Sequence, residues 1–249
     1  MTSPYRKAPI EIEGVEAHAC TVDLRLAILH ELPFFADLPH EAIHAINALF
    51  RAESFETGET IYYAGDPAAK LYVVATGRTK LLRHATTGQE IVLELLVPGD
   101  FFGSLPFLGE DVHADTALAH TPSCILTVTA DDFQQVLRQY PQVSLSLLEI
   151  TSSRLREARA LIHGLSASPV EGRLAATLLK LADKLGERQA DRLLIQLPLS
   201  RQDLADMTGA TVETVSRIMS QFRKDGLIDS GRRWVAILDA DQLAEVAAE

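Results

Sequence analysis

Apolar side chains follow three successive rhythms along this chain. From Asp23 to Leu49 they recur at helical spacing, through Leu24, Ile28 and Leu29 and then Ile43, Ile46, Leu49 and Phe50. Pro33 breaks the pattern and Asp37-Leu38-Pro39 restarts it, so two short helices are predicted. From Ser54 to Thr129 the texture changes. Glycines at 58, 65, 77, 88, 99, 103 and 109 separate short β-rich runs at Thr60–Tyr63, Leu71–Ala75, Thr79–Arg83, Ile91–Leu96 and Ile125–Thr129. Strands spaced by roughly 8–12 residues with glycine turns indicate an antiparallel sandwich or roll.

Helical spacing returns at Asp131-Asp132, with Phe133, Val136 and Leu137 ahead of an interruption at Pro141. Beyond it a longer helix reaches about His163. Leu148, Thr151, Leu155, Ala158 and Ile162 follow the alternating three-and-four spacing of a two-stranded coiled-coil seam. A second apolar set, Val143, Leu145, Leu147 and Ile150, is available to pack on the roll. Gly164-Leu-Ser-Ala-Ser-Pro169 reads as the interdomain hinge. After it come an amphipathic helix at Val170–Leu185, a short strand at Leu193–Pro198, two close helices and a hairpin signal around Ser230-Gly231. The expected division is a tail at 1–22, a β-roll at 23–130, a dimerisation helix at 131–164 and a winged helix-turn-helix at 165–249. The fold class is α+β.

Composition narrows the class. Of 249 residues, 47% are hydrophobic and 23% charged, which excludes a disordered chain and a fibre. No apolar run approaches the ~20 residues of a membrane span. The first residues lack the apolar core of a secretory signal, and there are only two cysteines, Cys20 and Cys124. Both features lead to an expectation of a reducing, cytoplasmic setting. A net charge of −11 speaks against non-specific coating of DNA. The window 200–234 departs from this, because Arg201, Arg217, Arg223, Lys224, Arg232 and Arg233 gather there.

That window holds the most specific motif, SRQDLADMTGATVETVSRIMSQFRKDG from Ser200 to Gly226. Ser200 and Asp203 have the spacing of a capping box, Thr208-Gly209-Ala210 is a tight turn, and Thr211 is a natural N-cap. Val212, Val215, Ile218, Met219 and Phe222 make the buried stripe of the second helix, and Gly226 closes it. Two helices joined this way, followed by a hairpin wing, form a DNA-reading unit. Its outward face presents Thr211, Glu213, Thr214, Ser216 and Arg217. Arginine can bind guanine O6 and N7, and glutamate can accept from cytosine N4. Glu213 and Arg217 are also four residues apart, so they can instead brace one another as a surface ion pair.

A glycine-punctuated roll, a long dimer helix and a winged helix with Glu213-x-x-Ser216-Arg217 resemble the cyclic-AMP receptor protein/FNR family of bacterial transcription regulators. The resemblance covers about Leu29 to Leu238. The reading helix is similar to the FNR type, since the cyclic-AMP receptor type has arginine where this chain has Val212 and glycine where it has Ser216. The resemblance implies TTGA-type half-sites in an inverted repeat, a homodimer on double-stranded DNA, and contact with RNA polymerase.

The effector pocket departs from the family. Cyclic-AMP binders resemble one another in Gly-Glu-Leu followed by Arg-Ser; here the aligned residues are Gly103-Ser104-Leu105 and His113-Ala114-Asp115. The ribose-binding carboxylate and phosphate-binding arginine are absent, and Asp115 adds repulsion, so cyclic AMP is not expected to bind. Two cysteines are too few for a four-thiolate iron–sulfur cluster. Haem remains a candidate cofactor, with His84, His113 and His120 around the roll and His18 beside Cys20. Cys20 and Cys124 are candidate redox thiols, although the apolar run around Cys124 points to inert core. A reading from another class rests on His40-Glu41-Ala42-Ile43-His44, which matches the H-E-x-x-H pattern of zinc hydrolases. Pro39 puts His40 in a frayed first turn, and no third ligand motif follows, so a solvated helix start is preferred.

Overall fold

The computed structural model describes residues 20–84, 90–189, 192–195, 200–231 and 234–248, with side chains described throughout these except at 157, 160–167 and 187–189. The chain divides into two compact units, Met1–Ser153 and Arg154–Glu249.

The first unit opens with α1 (Val22–Glu31) and α2 (His40–Asn47), separated by the break at Pro33. Among the described residues eight strands follow: β1 (Arg51–Phe55), β2 (Thr60–Tyr62), β3 (Lys70–Thr76), β4 (Thr79–His84), β5 (Glu90–Leu96), β6 (Phe101–Phe102), β7 (Thr116–Ala119) and β8 (Ser123–Thr129). They form two four-stranded sheets, ordered β1-β8-β3-β6 and β2-β7-β4-β5, with antiparallel pairing throughout. This is the roll that the glycine spacing predicts.

Strand β3 is buried on both faces, and its period of two sorts side chains between two cores. Leu71, Val73 and Ala75 point to a core shared with α1, α2 and α3 (Ala130–Gln139). Tyr72 and Val74 point the other way, joining Tyr62, Leu81, Leu96, Phe102, Ala117 and Ile125 inside the roll. Two candidate effector-pocket residues, His113 and Asp115, meet Tyr62 of that inner core.

Helix α4 (Pro141–Ala167) follows α3 after the interruption at Pro141. Val143 and Ile150 are buried in the outer core and Leu147 packs against it. Leu145 corrects the predicted inner set, because it is 65% exposed. Leu148 and Leu155, at 63% and 53%, share that exposure, and Thr151 and Ala158 are exposed with them. Ile162 lies on the same helix, but its side chain is outside the described residues. The predicted hinge needs a second correction: helix continues through Gly164 to Ala167, and the backbone breaks only at Ser168 and Pro169. Glycine, serine and alanine tolerate helix when the hydrogen-bond ladder is already running, whereas proline cannot extend it.

The cysteines bring a third correction. Cys20 and Cys124 form a disulfide with Cα atoms 5.8 Å apart. Cys124 lies on β8 in the outer core, and Cys20 reaches it from the residue before the α1 N-cap, Thr21. Sequence separation hides this pairing, and a thiol in an apolar strand looks inert until its partner is placed.

In the second unit, α5 (Val170–Leu185) leads to β9 (Gly186–Gln189) and β10 (Arg192–Ile195). Then come α6 (Arg201–Thr208), α7 (Val212–Lys224), the hairpin β11 (Ile228–Gly231) and β12 (Trp234–Ile237), and α8 (Ala240–Ala248). One sheet ordered β11-β12-β10-β9 ties the wing to the strands ahead of α6. The predicted strand at Leu193–Pro198 is therefore β10, and its last three residues lie outside the described ones. Helix α8 buries Leu243 and packs along α5. Among the described residues no helix is long and apolar enough to cross a membrane.

Candidate nucleic-acid interface and effector pocket

The capping box at the start of α6 is formed. Ser200 Oγ accepts from the Asp203 amide at 3.1 Å, and the Asp203 carboxylate accepts from the Ser200 amide at 2.7 Å. Two amides at the helix start are thereby satisfied. Thr208 ends the helix and Gly209 takes a left-handed conformation, φ 62°, that turns the chain without a Cβ clash. Arg173 of α5 clamps this turn, donating to the Thr208 carbonyl at 2.9 Å and to the Ser168 carbonyl at 2.9 Å. Thr211 caps α7 by accepting from the Thr214 amide at 3.2 Å.

Val215, Ile218, Met219 and Phe222 anchor α7 from below. Opposite them Thr211, Glu213 and Arg217 are exposed, and Thr214 and Ser216 are half-buried. The predicted reading residues thus share one face. Among the described residues Glu213 and Arg217 form neither an ion pair nor a hydrogen bond, so the alternative brace between them is not made and both charges face outward.

Arg201 is placed differently. It is half-buried at the first turn of α6, beside a small cleft lined by Leu178, Leu181, Ile195, Leu204 and Trp234. Its guanidinium donates to Ser230 Oγ on β11 at 3.3 Å. Burial lowers its pKa from the usual arginine value, and the nearby positive charge of Arg223 lowers it further. Ser230, which the helix motif does not contain, therefore joins the site through the wing.

In the roll, all four predicted pocket residues meet. The Ser104 amide donates to His113 Nδ1 at 3.3 Å. The His113 ring lies flat on Tyr62, centroids 3.7 Å apart and planes 13° apart. Tyr62 donates to Asp115 Oδ1 at 2.9 Å. Gly103, at φ 97°, lies so close to the Tyr72 ring that a Cβ has no room. Tyr62 and Tyr72 are the residues the sequence pattern does not single out, since their partners lie dozens of residues away. Burial raises the pKa of both phenols, and Tyr72 is pushed up to about 12. For Tyr62 the neighbouring Asp115 carboxylate adds to the effect.

His113 is only 2% exposed. Burial lowers its pKa from the usual 6.5, against the opposing pull of Asp115, Asp66 and Glu110. Because Nδ1 faces an N–H donor, it carries the lone pair, and the proton of the neutral ring sits on Nε2. Nε2 is buried without a hydrogen-bond partner. An axial haem ligand must offer a lone pair, normally from Nε2, so His113 does not fit haem in this arrangement. His84 instead faces Glu90 at 3.6 Å on the surface.

The zinc-like motif is not assembled. His40, Glu41 and His44 are exposed, and the His40 ring stacks on His30 with centroids 4.7 Å apart. Among the described residues no three His, Cys, Asp or Glu side chains converge as metal donors.

Comparison with known proteins gives this arrangement a family. A Crp-like helix-turn-helix domain matches residues 172–246, and a cyclic nucleotide-binding domain matches residues 52–140. The cyclic AMP receptor protein of Thermus thermophilus is 32% identical over 215 residues, covering 86% of this chain and 96% of that protein. The chain belongs to the CRP/FNR family of transcriptional regulators. A second relative of this CRP/FNR regulator is the probable transcriptional regulator flp of Lacticaseibacillus casei, 32% identical over 93% of this chain and 99% of that one. Among solved structures, FixK2 from Bradyrhizobium japonicum superposes with a TM-score of 0.72 at 27% identity, over 80% of this chain and 98% of that chain.

Proposed function

We propose that this CRP/FNR regulator binds an inverted repeat of TTGA-type half-sites in double-stranded DNA as a homodimer, under the control of a signal other than cyclic AMP. The observation that carries the reading is the outward, unbridged pair Glu213 and Arg217 beside Ser216 on α7. A guanidinium with free donors at that place suits a guanine edge in the major groove. Leu148 and Leu155 support the homodimer, because exposed leucines one heptad apart suit the seam of a two-stranded helix pair. Contact with RNA polymerase and a cytoplasmic setting follow from that role.

Two features favour a signal other than cyclic AMP. The Ser104 amide, a donor available to a phosphate, is already taken by His113. Asp115 sits where an anion would be repelled. Of haem and thiol redox chemistry, the Cys20–Cys124 pairing favours redox. Selection of bound sequences from random duplexes tests the reading. Recovery of paired TTGA elements supports it, and recovery of no motif or of an unrelated one overturns it.

A further inference from the structure

The backbone of His113 is pinned on both sides. Its carbonyl accepts from the Gly65 amide at 2.8 Å, and its amide donates to the Asp66 carbonyl at 2.9 Å. The side chain then bridges to a different segment, the Ser104 amide that follows β6. One imidazole nitrogen therefore connects two loops of the roll. That bridge requires an unprotonated Nδ1, because a protonated imidazole carries hydrogens on both nitrogens and has nothing to accept with. Protonation would set an N–H against the N–H of Ser104 and place a charge inside an aromatic stack.

The groups around the ring make that event reversible. Tyr62 on β2 and Tyr72 on β3 present neutral aromatic faces. Phe102 on β6 stacks on Tyr72 behind them. The charged groups that act on the ring are Asp66 from the β2–β3 loop and Glu110 and Asp115 from the segment before β7. Lys70, the nearby cation of β3, turns away to Glu53 at 3.1 Å. Among the described residues a protonated His113 thus has carboxylates to move toward, and no cation is among the charges that act on it. Histidine is the side chain suited to such a change near neutral pH.

The far side of the bridge leads to the dimer helix. Ser104 lies between Phe101 and Leu105, and both pack in the core that also holds Val143 and Ile150 of α4. Movement of the Ser104 segment is therefore felt by the inner face of α4. We propose that His113 is a proton-operated latch on the roll: the neutral ring holds the Ser104 segment closed, the protonated ring releases it, and operator binding weakens in acid. The operator part rests on the DNA-reading function proposed above; the latch itself does not. Burial lowers the pH of release from the ordinary histidine value of 6.5.

The test combines amide exchange with operator binding between about pH 5 and 7.5, the window in which histidine titrates. In the wild type, exchange at the Ser104 amide, corrected for its intrinsic pH dependence, should accelerate as pH falls from 6.5 toward the His113 midpoint, by up to about tenfold per pH unit, and level off below it. His113→Gln supplies a carbonyl oxygen that accepts from Ser104 without titrating, so its exchange should stay flat. The ratio of wild-type to His113→Gln operator affinity should be constant at and above neutral pH and fall several-fold in acid. Protection of Ser104 that persists through the His113 titration, or equal pH profiles in the two proteins, overturns the latch. Release without any difference in operator affinity overturns its coupling to DNA. Absence of operator binding at every pH is a failure of the DNA reading and removes the regulatory part with it. Amide exchange, which needs no DNA, tells that result from a failed latch.

Discussion

Tyr62 donates its hydroxyl hydrogen to Asp115 Oδ1 at 2.9 Å, and its ring carries His113 on one face. A single tyrosine thus engages two of the four candidate effector-pocket residues. Tyr62→Phe keeps the stack and removes the hydrogen bond to a half-buried carboxylate. The expected loss is about 1–2 kcal/mol, reduced by water that can reach Asp115. Urea unfolding followed by far-UV dichroism measures it, and an unchanged midpoint would show that the bond contributes nothing net.

Stability should also depend on pH through His113. Its folded pKa lies below the unfolded value of 6.5, so the unfolded chain takes up the proton first as pH falls. The contribution of the neutral ring is therefore complete above pH 6.5 and is lost as pH drops from there toward the folded value. Midpoints of thermal unfolding collected over this range should fall more steeply in the wild type than in His113→Gln. Parallel curves would place the loss on other histidines.

Arg217 and Arg201 should fail in different ways. Arg217→Ala is expected to cost roughly 1–3 kcal/mol per half-site and to relax preference at the guanine of TTGA. Arg201→Ala should weaken all duplexes alike and lower the salt slope by about one. Ser230→Ala, which leaves the Arg201 charge in place but removes its hydrogen bond to the wing, should give a smaller uniform loss. Competition between cognate and guanine-substituted duplexes separates these outcomes; equal weakening of both by Arg217→Ala would make it a backbone contact.

These two arginines also show what sequence could and could not reveal. Arg217 was legible because helix period alone puts it opposite Val215, Ile218 and Phe222, and no distant residue intervenes. The half-buried setting of Arg201 was not, because Ser230 and Trp234 approach it from the wing. The same division holds in the fold. Helices α5 and α7 follow from local pattern. Strand β1 (Arg51–Phe55) has no fully buried position, β6 is two residues long, and both exist because β8 and β3 pair with them. Helix α8 does not follow from the sequence pattern because it is short and buries a single large side chain, Leu243. The disulfide and the Tyr62 stack are likewise long-range contacts, which no window of sequence contains.

Leu155→Asp tests the seam. Leu155 is 53% exposed, so a carboxylate there costs little within one chain. In a helix pair it would meet its symmetry mate in a desolvated seam, and the expected result is a folded monomer. Sedimentation that still finds a dimer would remove Leu155 from the interface. Operator binding by the monomer should be weaker by orders of magnitude, since only a dimer presents two reading helices on one frame.

Cys20→Ser should lower stability. The bridge spans a sequence separation of 104 residues, and closing a loop of that size restricts the unfolded chain by up to about 5 kcal/mol in the chain-entropy description. A strong reductant should shift the unfolding midpoint of the wild type and leave that of Cys20→Ser where it is. Identical midpoints with and without reductant in the wild type would mean that the bridge contributes no stability.

The same bridge changes the topology of the sensor. From Cys20 to Cys124 the covalent chain is a closed ring that contains α1, α2 and the strands from β1 through β7. A single peptide cut inside the ring opens it without releasing a piece, and the ends stay threaded through the two sheets. In its oxidised form the sensor is therefore a nick-tolerant circle, whereas in its reduced form the same cut gives two separable chains. The redox state of one bond thus decides whether the two sides of such a cut stay covalently joined.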